Sequence, residues 1–203
     1  MVSPKHRTRL GAAARRETIL TAAIPEFAAS GYERTRISDI AARVGVTEPV
    51  VFQNFGTKSG LFVAILDRVS DEVVQYLSEL GDHSPDVAEL LSVLLAHERQ
   101  DRMHGPGGAG TMFAEAANNS DPSVRKAGRR AHMRTVQTLV EILRRGQREG
   151  SIRGDVDATV LGWLVLSQIH ARQFRRAHSD TSPTVERALL DALLVALRQP
   201  ARL

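Results

Sequence analysis

The sequence predicts an all-α fold, with a small N-terminal three-helix unit followed by a larger C-terminal helical bundle. Period-2 alternation never persists, and the β-branched residues fall inside stretches with helical spacing. Glycines close short segments at Gly31, Gly45 and Gly56, prolines stand where helices would begin at Pro85, Pro122 and Pro183, and a glycine-rich break runs from Gly146 to Gly154. This punctuation divides the chain into about eight or nine helices.

The first helix, about Ala13 to Ser30, sets Ile19, Ala22, Ala23 and Phe27 on one face and ends at Gly31. Pro25 lies inside it and removes the amide that would bond the Thr21 carbonyl, which predicts a kink or a loosened turn. A second helix, Ile37 to Val44, turns Ile40, Ala41 and Val44 inward and stops at Gly45. The hydroxyl of Thr47 then caps a third, Glu48 to Asn54, whose first turn tolerates Pro49 because early amides have no intrahelical partner. Val51 and Phe55 are spaced to turn back onto the first helix. Two short helices joined by a tight turn containing glycine form a helix-turn-helix outline, about residues 36–55.

The fourth helix runs from Lys58 to about Leu80, with a long apolar stripe through Leu61, Phe62, Ile65, Val69, Val73, Tyr76 and Leu77. It leaves the small unit and enters the bundle, a natural mechanical link. Helices over about 85–99, 111–118, 122–148, 156–177 and 183–198 complete the bundle. The domains expected are a flexible basic arm over 1–12, a helix-turn-helix domain over 13–73, and a ligand-binding and dimerisation domain over 74–203.

Composition narrows the function classes. At 42% apolar and 25% charged, disorder and fibrous structure are excluded. The chain has no cysteine, which removes disulfide scaffolds, thiol nucleophiles and cysteine-type zinc sites, fits a reducing compartment, and predicts a cytoplasmic protein. The longest mainly apolar run, Val160 to Ile169, is about half of a membrane span, so no membrane partner is expected. The basic start lacks the long apolar core of a secretory leader. A pI near 10.1 suggests nucleic acid, yet the net charge is only +4 and just three of the 27 basic residues are lysine. The distribution is more telling. Residues 1–60 hold nine Lys and Arg against five Asp and Glu, and the rest of the chain is balanced at eighteen each. A basic head suited to a polyanion therefore precedes a neutral body.

Ile19 to Leu66, with Phe27, Gly31-Tyr32, Thr35, Ile37, Asp39-Ile40-Ala41, Gly45-Val46-Thr47, Phe52, Phe55, Lys58 and Leu61-Phe62, resembles the DNA-binding domain of the tetracycline-repressor (TetR) family. Beyond about the first 70 residues the likeness rests on length and helical pattern. The resemblance implies a homodimeric transcriptional repressor, released from a palindromic operator in double-stranded DNA by a small apolar ligand, without catalytic activity or cofactor. It also implies that the last two long helices pair with their twins in a four-helix interface. This chain departs from the family in having Phe52 where tyrosine is usual, Pro25 inside the first helix, and Glu48-Pro49 opening the recognition helix.

A recognition helix lays its N-terminal half in the major groove. There Gln53 suits a bidentate pair with adenine, Val50 and Pro49 a thymine methyl, and Glu48 a cytosine amino group. Thr47, Asn54 and Lys58 are expected as phosphate anchors, with Thr35 and Arg36 in the matching place at the start of the second helix. Phe52 lacks the hydroxyl that could bond a phosphate, so that contact is either missing or purely van der Waals. Lys5, Arg7, Arg9, Arg15 and Arg16 read equally as a groove or phosphate arm and as a solubilising tail.

In the body, Met103, Met112, Phe113, Met133, Trp163, His170 and Phe174 form a candidate lining for an apolar ligand, with plain core packing as the alternative. The double apolar stripe of the last helix makes Leu189, Leu190, Leu193, Leu194 and Leu197 candidates for a dimer interface. Two features lead nowhere. Gly105 to Thr111 opens like a phosphate loop but lacks the lysine and the preceding strand, and the seven histidines show no metal spacing. Two rival readings remain: a ligand-independent activator or architectural DNA-binding protein of the same fold, and a helical-bundle enzyme, which would need acid, base or metal residues converging in the body.

Overall fold

The structure, a computed structural model, describes residues 11–96, 110–178 and 182–198. Those residues form nine α-helices: α1 (Ala12–Arg34), α2 (Ile37–Val44), α3 (Glu48–Phe55), α4 (Lys58–His83), α5 (Val87–Leu94), α6 (Gly110–Asn118), α7 (Pro122–Glu149), α8 (Ala158–His178) and α9 (Pro183–Leu197). Among the described residues the only strand-like feature is an isolated bridge between Ile152 and Arg198, which fastens the loop after α7 to the end of α9. No helix among them is long and apolar enough to cross a membrane.

The helix starts follow local chemistry. Asp86 accepts from the Ala88 and Glu89 amides, Asp121 from Ser123, and Ser182 from Val185, so α5, α7 and α9 each begin on a short polar cap. Pro122 and Pro183 occupy first-turn positions. The expected disturbance at Pro25 is absent: α1 runs through it, and the one residue with non-helical angles is Gly31 (φ 76°, ψ 170°). Pro25 and Thr21 both face solvent, where the carbonyl freed by the missing amide is open to water.

The buried side chains fall into two clusters. The head cluster packs Ile19, Ala23 and Phe27 of α1 against Ile40 of α2, Val51 of α3, and Leu61, Phe62 and Ile65 of α4. Phe27 lies 5.0 Å from Phe62, and Tyr32 lies 5.1 Å from Phe62, ring centre to ring centre. This cluster does not stop at the head: Met112 and Ala116 of α6 and Val124 and Ala127 of α7 belong to it. The body cluster joins Leu77 of α4, Leu90 and Leu91 of α5, Leu139 and Leu143 of α7, Val165 of α8, and Leu193 and Leu197 of α9. Helix α4 serves both cores, as its long stripe predicts. Its outer side is tied to α7 by the ion pairs Arg130–Asp67 and Arg134–Asp71.

Candidate functional site

The turn between α2 and α3 is set by Gly45. Its left-handed backbone (φ 70°, ψ 35°) is costly for a residue with a Cβ, and the Val46 amide bonds back to the Ala41 carbonyl at 3.0 Å. The chain therefore reverses within three residues and starts α3 at Glu48. Val51, 1% exposed, pins α3 to the head core, and half-buried Phe55 packs beside it. The opposite face looks outward: Thr47, Glu48, Pro49, Phe52 and Gln53 are exposed, and Val50 and Asn54 partly so. The arrangement presents two amides, one carboxylate and apolar groups on a short, firmly seated helix, the chemistry that base edges in a major groove require.

Three anchors are placed differently from the sequence expectation. Thr47 does not cap α3 with its hydroxyl; its backbone carbonyl takes the Val50 amide at 3.0 Å. The side-chain cap falls instead at Thr57, whose oxygen accepts from the Gly60 amide at 2.9 Å to start α4. Thr35 is buried, its hydroxyl donating to the Gly31 carbonyl at 2.7 Å, so it closes the end of α1 and does not face outward. Lys58 is committed as well. Its ammonium donates to the Glu33 carbonyl at 3.0 Å and sits 4.8 Å above the centre of the Tyr32 ring, where the last carbonyls of α1 attract a cation. Arg36, by contrast, is exposed, and its side chain has no partner among the described residues. Asn54 donates to the Val50 carbonyl at 2.7 Å.

Arg16, read from the sequence as part of a basic arm or tail, has a structural contact that the sequence did not suggest. It lies on α1, stacks 4.1 Å over the centre of the Phe55 ring and donates to the Asn54 carbonyl, clamping the C-terminal end of α3. No local pattern announces a contact across 38 positions. Lys5, Arg7 and Arg9 lie outside the described residues.

The body holds a cavity of about 70 Å³ between α4, α5, α6, α7 and α8. Val73, Leu77, Leu94, Leu139, Leu166 and Ile169 supply apolar walls, and His132, Thr135 and His170 the polar side. Of the expected lining, Phe113 and His170 are there. Met112 is packed in the head core, whereas Met133, Trp163 and Phe174 are 41%, 43% and 65% exposed in the single chain. Met103 and the Gly105 loop through Ala109 lie outside the described residues. His132, not anticipated, faces His170 with 3.3 Å between the two Nε2 atoms, and its Nδ1 meets the Gly128 carbonyl at 2.9 Å. Burial, and secondarily the neighbouring His132, hold the His170 pKa below its usual value, so the ring resists taking a proton.

The candidate interface residues also divide. Leu193 and Leu197 point into the body core, Leu190 and Leu194 pack against its edge, and Leu189 is half-buried. The exposed apolar side chains of the last two helices are instead Val160, Trp163, Leu164 and Phe174 on α8 and Val185 and Val195 on α9. Plain periodicity cannot tell which of two stripes a helix turns toward its own core.

Helix α6 connects cavity and head. Phe113 lines the cavity, while Glu115, two residues on, accepts the Tyr32 amide at 2.7 Å. Gly31 makes room for this carboxylate, since a Cβ there would lie 2.3 Å from the Glu115 Oε1 and would also need a positive φ.

Residues 19–65 match the family described as bacterial regulatory proteins, tetR family. That segment is a TetR-family DNA-binding domain. The chain's similarity to the HTH-type transcriptional repressor AcnR of Corynebacterium diphtheriae is 28% identity over 177 residues, covering 86% of this chain and 87% of that one. The nucleoid occlusion factor SlmA of Idiomarina loihiensis is 24% identical over 172 residues, 84% of this chain and 88% of the relative. A solved regulator from Saccharomonospora viridis, in complex with choline, shares the fold with a TM-score of 0.75 at 22% identity, over 90% of this chain and 96% of that one. Like its TetR-family relatives, the chain is a DNA-binding transcriptional regulator.

Proposed function

We propose that this protein is a homodimeric, cytoplasmic repressor that holds a palindromic operator with α3 of each subunit and releases it when a small, mainly apolar molecule enters the body cavity. Residues 13–73 then serve as the DNA-binding domain, 74–203 bind ligand and partner subunit, and 1–12 form a basic arm. The observation that carries the reading is the double attachment of α6, with Phe113 in the cavity wall and Glu115 on the Tyr32 amide of the head. A ligand that displaces Phe113 moves the same rigid helix that holds the end of α1. The spacing of two recognition helices in a dimer must match half-sites a fixed distance apart, so a small rotation of each head is enough to lose the fit.

For the dimer, the support is the exposed stripe Val160, Trp163 and Leu164, one residue set at helical spacing on α8, with Val185 and Val195 on α9. Groove contacts fall to Gln53, Glu48, Pro49, Val50 and Phe52, and phosphate contacts to Arg36, the free hydroxyl of Thr47, and Lys58 once it leaves Glu33. The repressor reading is also supported by AcnR, which is named a repressor. SlmA, named a nucleoid occlusion factor, keeps open the second reading of a DNA-binding protein that does not act on transcription through a ligand.

Sedimentation and operator binding on one protein preparation test the reading. Trp163→Arg is expected to give a folded monomer that has lost operator affinity. A Trp163→Arg protein that stays dimeric moves the interface elsewhere. Linkage supplies the ligand test: a molecule that weakens operator binding a hundredfold, about 2.7 kcal/mol, must bind operator-bound protein a hundredfold more weakly. Equal affinity for free and bound protein overturns ligand control.

A further inference from the structure

The ring contacts in the cavity settle which nitrogens carry hydrogen. The Gly128 carbonyl can only accept, so Nδ1 of His132 bears its hydrogen and Nε2 of the neutral ring keeps a lone pair. Across the 3.3 Å contact, Nε2 of His170 is then the donor. That leaves Nδ1 of His170 with a lone pair and no partner among the described residues. A proton arriving at this atom disturbs nothing: the new imidazolium keeps one N–H on His132, which passes the polarisation on to the Gly128 carbonyl, and offers its second N–H to an acceptor. A second proton, on His132, would set two N–H groups against each other across the same contact. The pair therefore takes one proton and one positive charge.

No other charge is at hand to balance it. Among the described lining residues the two histidines are the only titratable groups. On the helices packed around them, Arg130 and Arg134 of α7 are paired with Asp67 and Asp71 of α4, Glu115 of α6 is on the Tyr32 amide, and Arg172 and Arg175 of α8 are on Glu186 of α9. A lone imidazolium among leucine and valine side chains is costly, and a single anion removes the cost.

We propose that the cavity is a site for a small monocarboxylic acid with an apolar tail, held as a carboxylate on the imidazolium of His170 with His132 behind it. The acid O–H bond breaks, the hydrogen moves to Nδ1 of His170, and the carboxylate accepts it back as a hydrogen bond, so the net charge of the cavity stays zero. The tail lies against Leu77, Leu139, Leu166 and Ile169. A space of about 70 Å³ is roughly half of one known to admit benzene, which favours a short tail. This inference rests on the reading that the cavity holds a ligand, and it names the chemistry of that ligand.

Calorimetry on the full chain tests it, with butyrate as the probe at about pH 8 in two buffers of different protonation enthalpy. The expected result is binding with uptake of about one proton per chain, and affinity that falls about tenfold per pH unit in the alkaline range. Butanamide and butan-1-ol, which carry no charge, and succinate, which carries one too many, are expected to bind at least about tenfold more weakly. His170→Gln removes the proton uptake and His132→Phe, which takes away the acceptor behind His170, reduces it. Butyrate binding without proton uptake, butanamide binding as tightly, or no heat at millimolar butyrate overturns the proposal. These three outcomes are read on the unaltered protein, so they decide the matter even where a variant fails to fold. Operator binding keeps the two readings apart. Butyrate bound with a proton but without effect on the operator overturns ligand control alone, whereas release by a neutral molecule with no butyrate binding overturns the acid site alone.

Discussion

The head and the body use the same helical material for opposite ends. In the head, the short helices α2 and α3 are held by Ile40 and Val51 against Phe27 and Phe62, and α3 keeps Glu48, Phe52 and Gln53 exposed. The body spreads its apolar side chains over longer helices and leaves a cavity whose polar side is two histidines and a threonine. A surface that reads DNA needs rigid placement of exposed groups, while a compartment that admits a small molecule needs walls that tolerate an empty interior. The difference teaches that the coupling proposed above needs an element belonging to both, and α6 is one, with Met112 and Ala116 in the head core and Phe113 in the cavity wall.

The hardest test of this division is to put a charge into the body core. Leu193→Arg, at a position 7% exposed in the chain itself, is expected to cost at least about 3 kcal/mol and to unfold the body. Trp163→Arg should leave thermal unfolding little changed. If Leu193→Arg yields a folded monomer, α9 faces outward and the comparison between the two stripes fails. Next in size is Met112→Ala, which opens a hole in the head core from the body side and is expected to cost about 2 to 5 kcal/mol. Hydrogen exchange should then show faster opening in α1 and α4 as well as α6. Exchange confined to α6 would separate head and body more sharply than the shared core allows.

On the proposed DNA face the expected effects are smaller. Gln53→Ala is expected to cost about 1 to 3 kcal/mol and to relax preference at one base pair, whereas Arg36→Ala should weaken all sequences alike and lower the salt slope by about one. Lys58→Ala should lower it by less, because its ammonium must first leave the Glu33 carbonyl. Indistinguishable salt and sequence profiles for the Gln53 and Arg36 variants would break the assignment of reading and anchoring roles. Smallest is the pH effect. The folded-state pKa of His170 lies below its unfolded value of 6.5, so the unfolded chain binds more protons. Stability is therefore full above that value and declines as pH falls through it toward the folded value. Thermal melts of His170→Gln should show a shallower decline below about pH 6.5 than the parent protein.

How much of this was legible in the sequence depended on how local the determinant is. Gly45, Pro122 and Pro183 act within a turn of where they stand, and the helices they bound lie where the spacing predicts. The outward face of α3 was legible because Val51 and Phe55 had to turn inward, which leaves Gln53 and Phe52 outside. The anchors were not. Lys58 meets a carbonyl 25 positions away, and the Thr35 hydroxyl turns back to donate to the Gly31 carbonyl at the end of α1, which residue type alone does not reveal. In the body, Met133, Trp163 and Phe174 have the composition of a pocket lining, yet side-chain size does not reveal which way a helix is turned. His132 and His170, 38 residues apart, face each other only once α7 and α8 pack.

The sharing of the head core with α6 and the start of α7 bears on how such a regulator can be recombined. Cut after α4, the head would lose Met112, Ala116, Val124 and Ala127 from its interior and would show water the apolar surface they cover. A chimera joined at that point inherits a core assembled from two strangers. The seam that respects the packing is not a single place in the chain. It sets α1 to α4 together with residues 110–127 on one side, so an exchange of specificities between two such proteins must carry both pieces or redesign the surface where they meet.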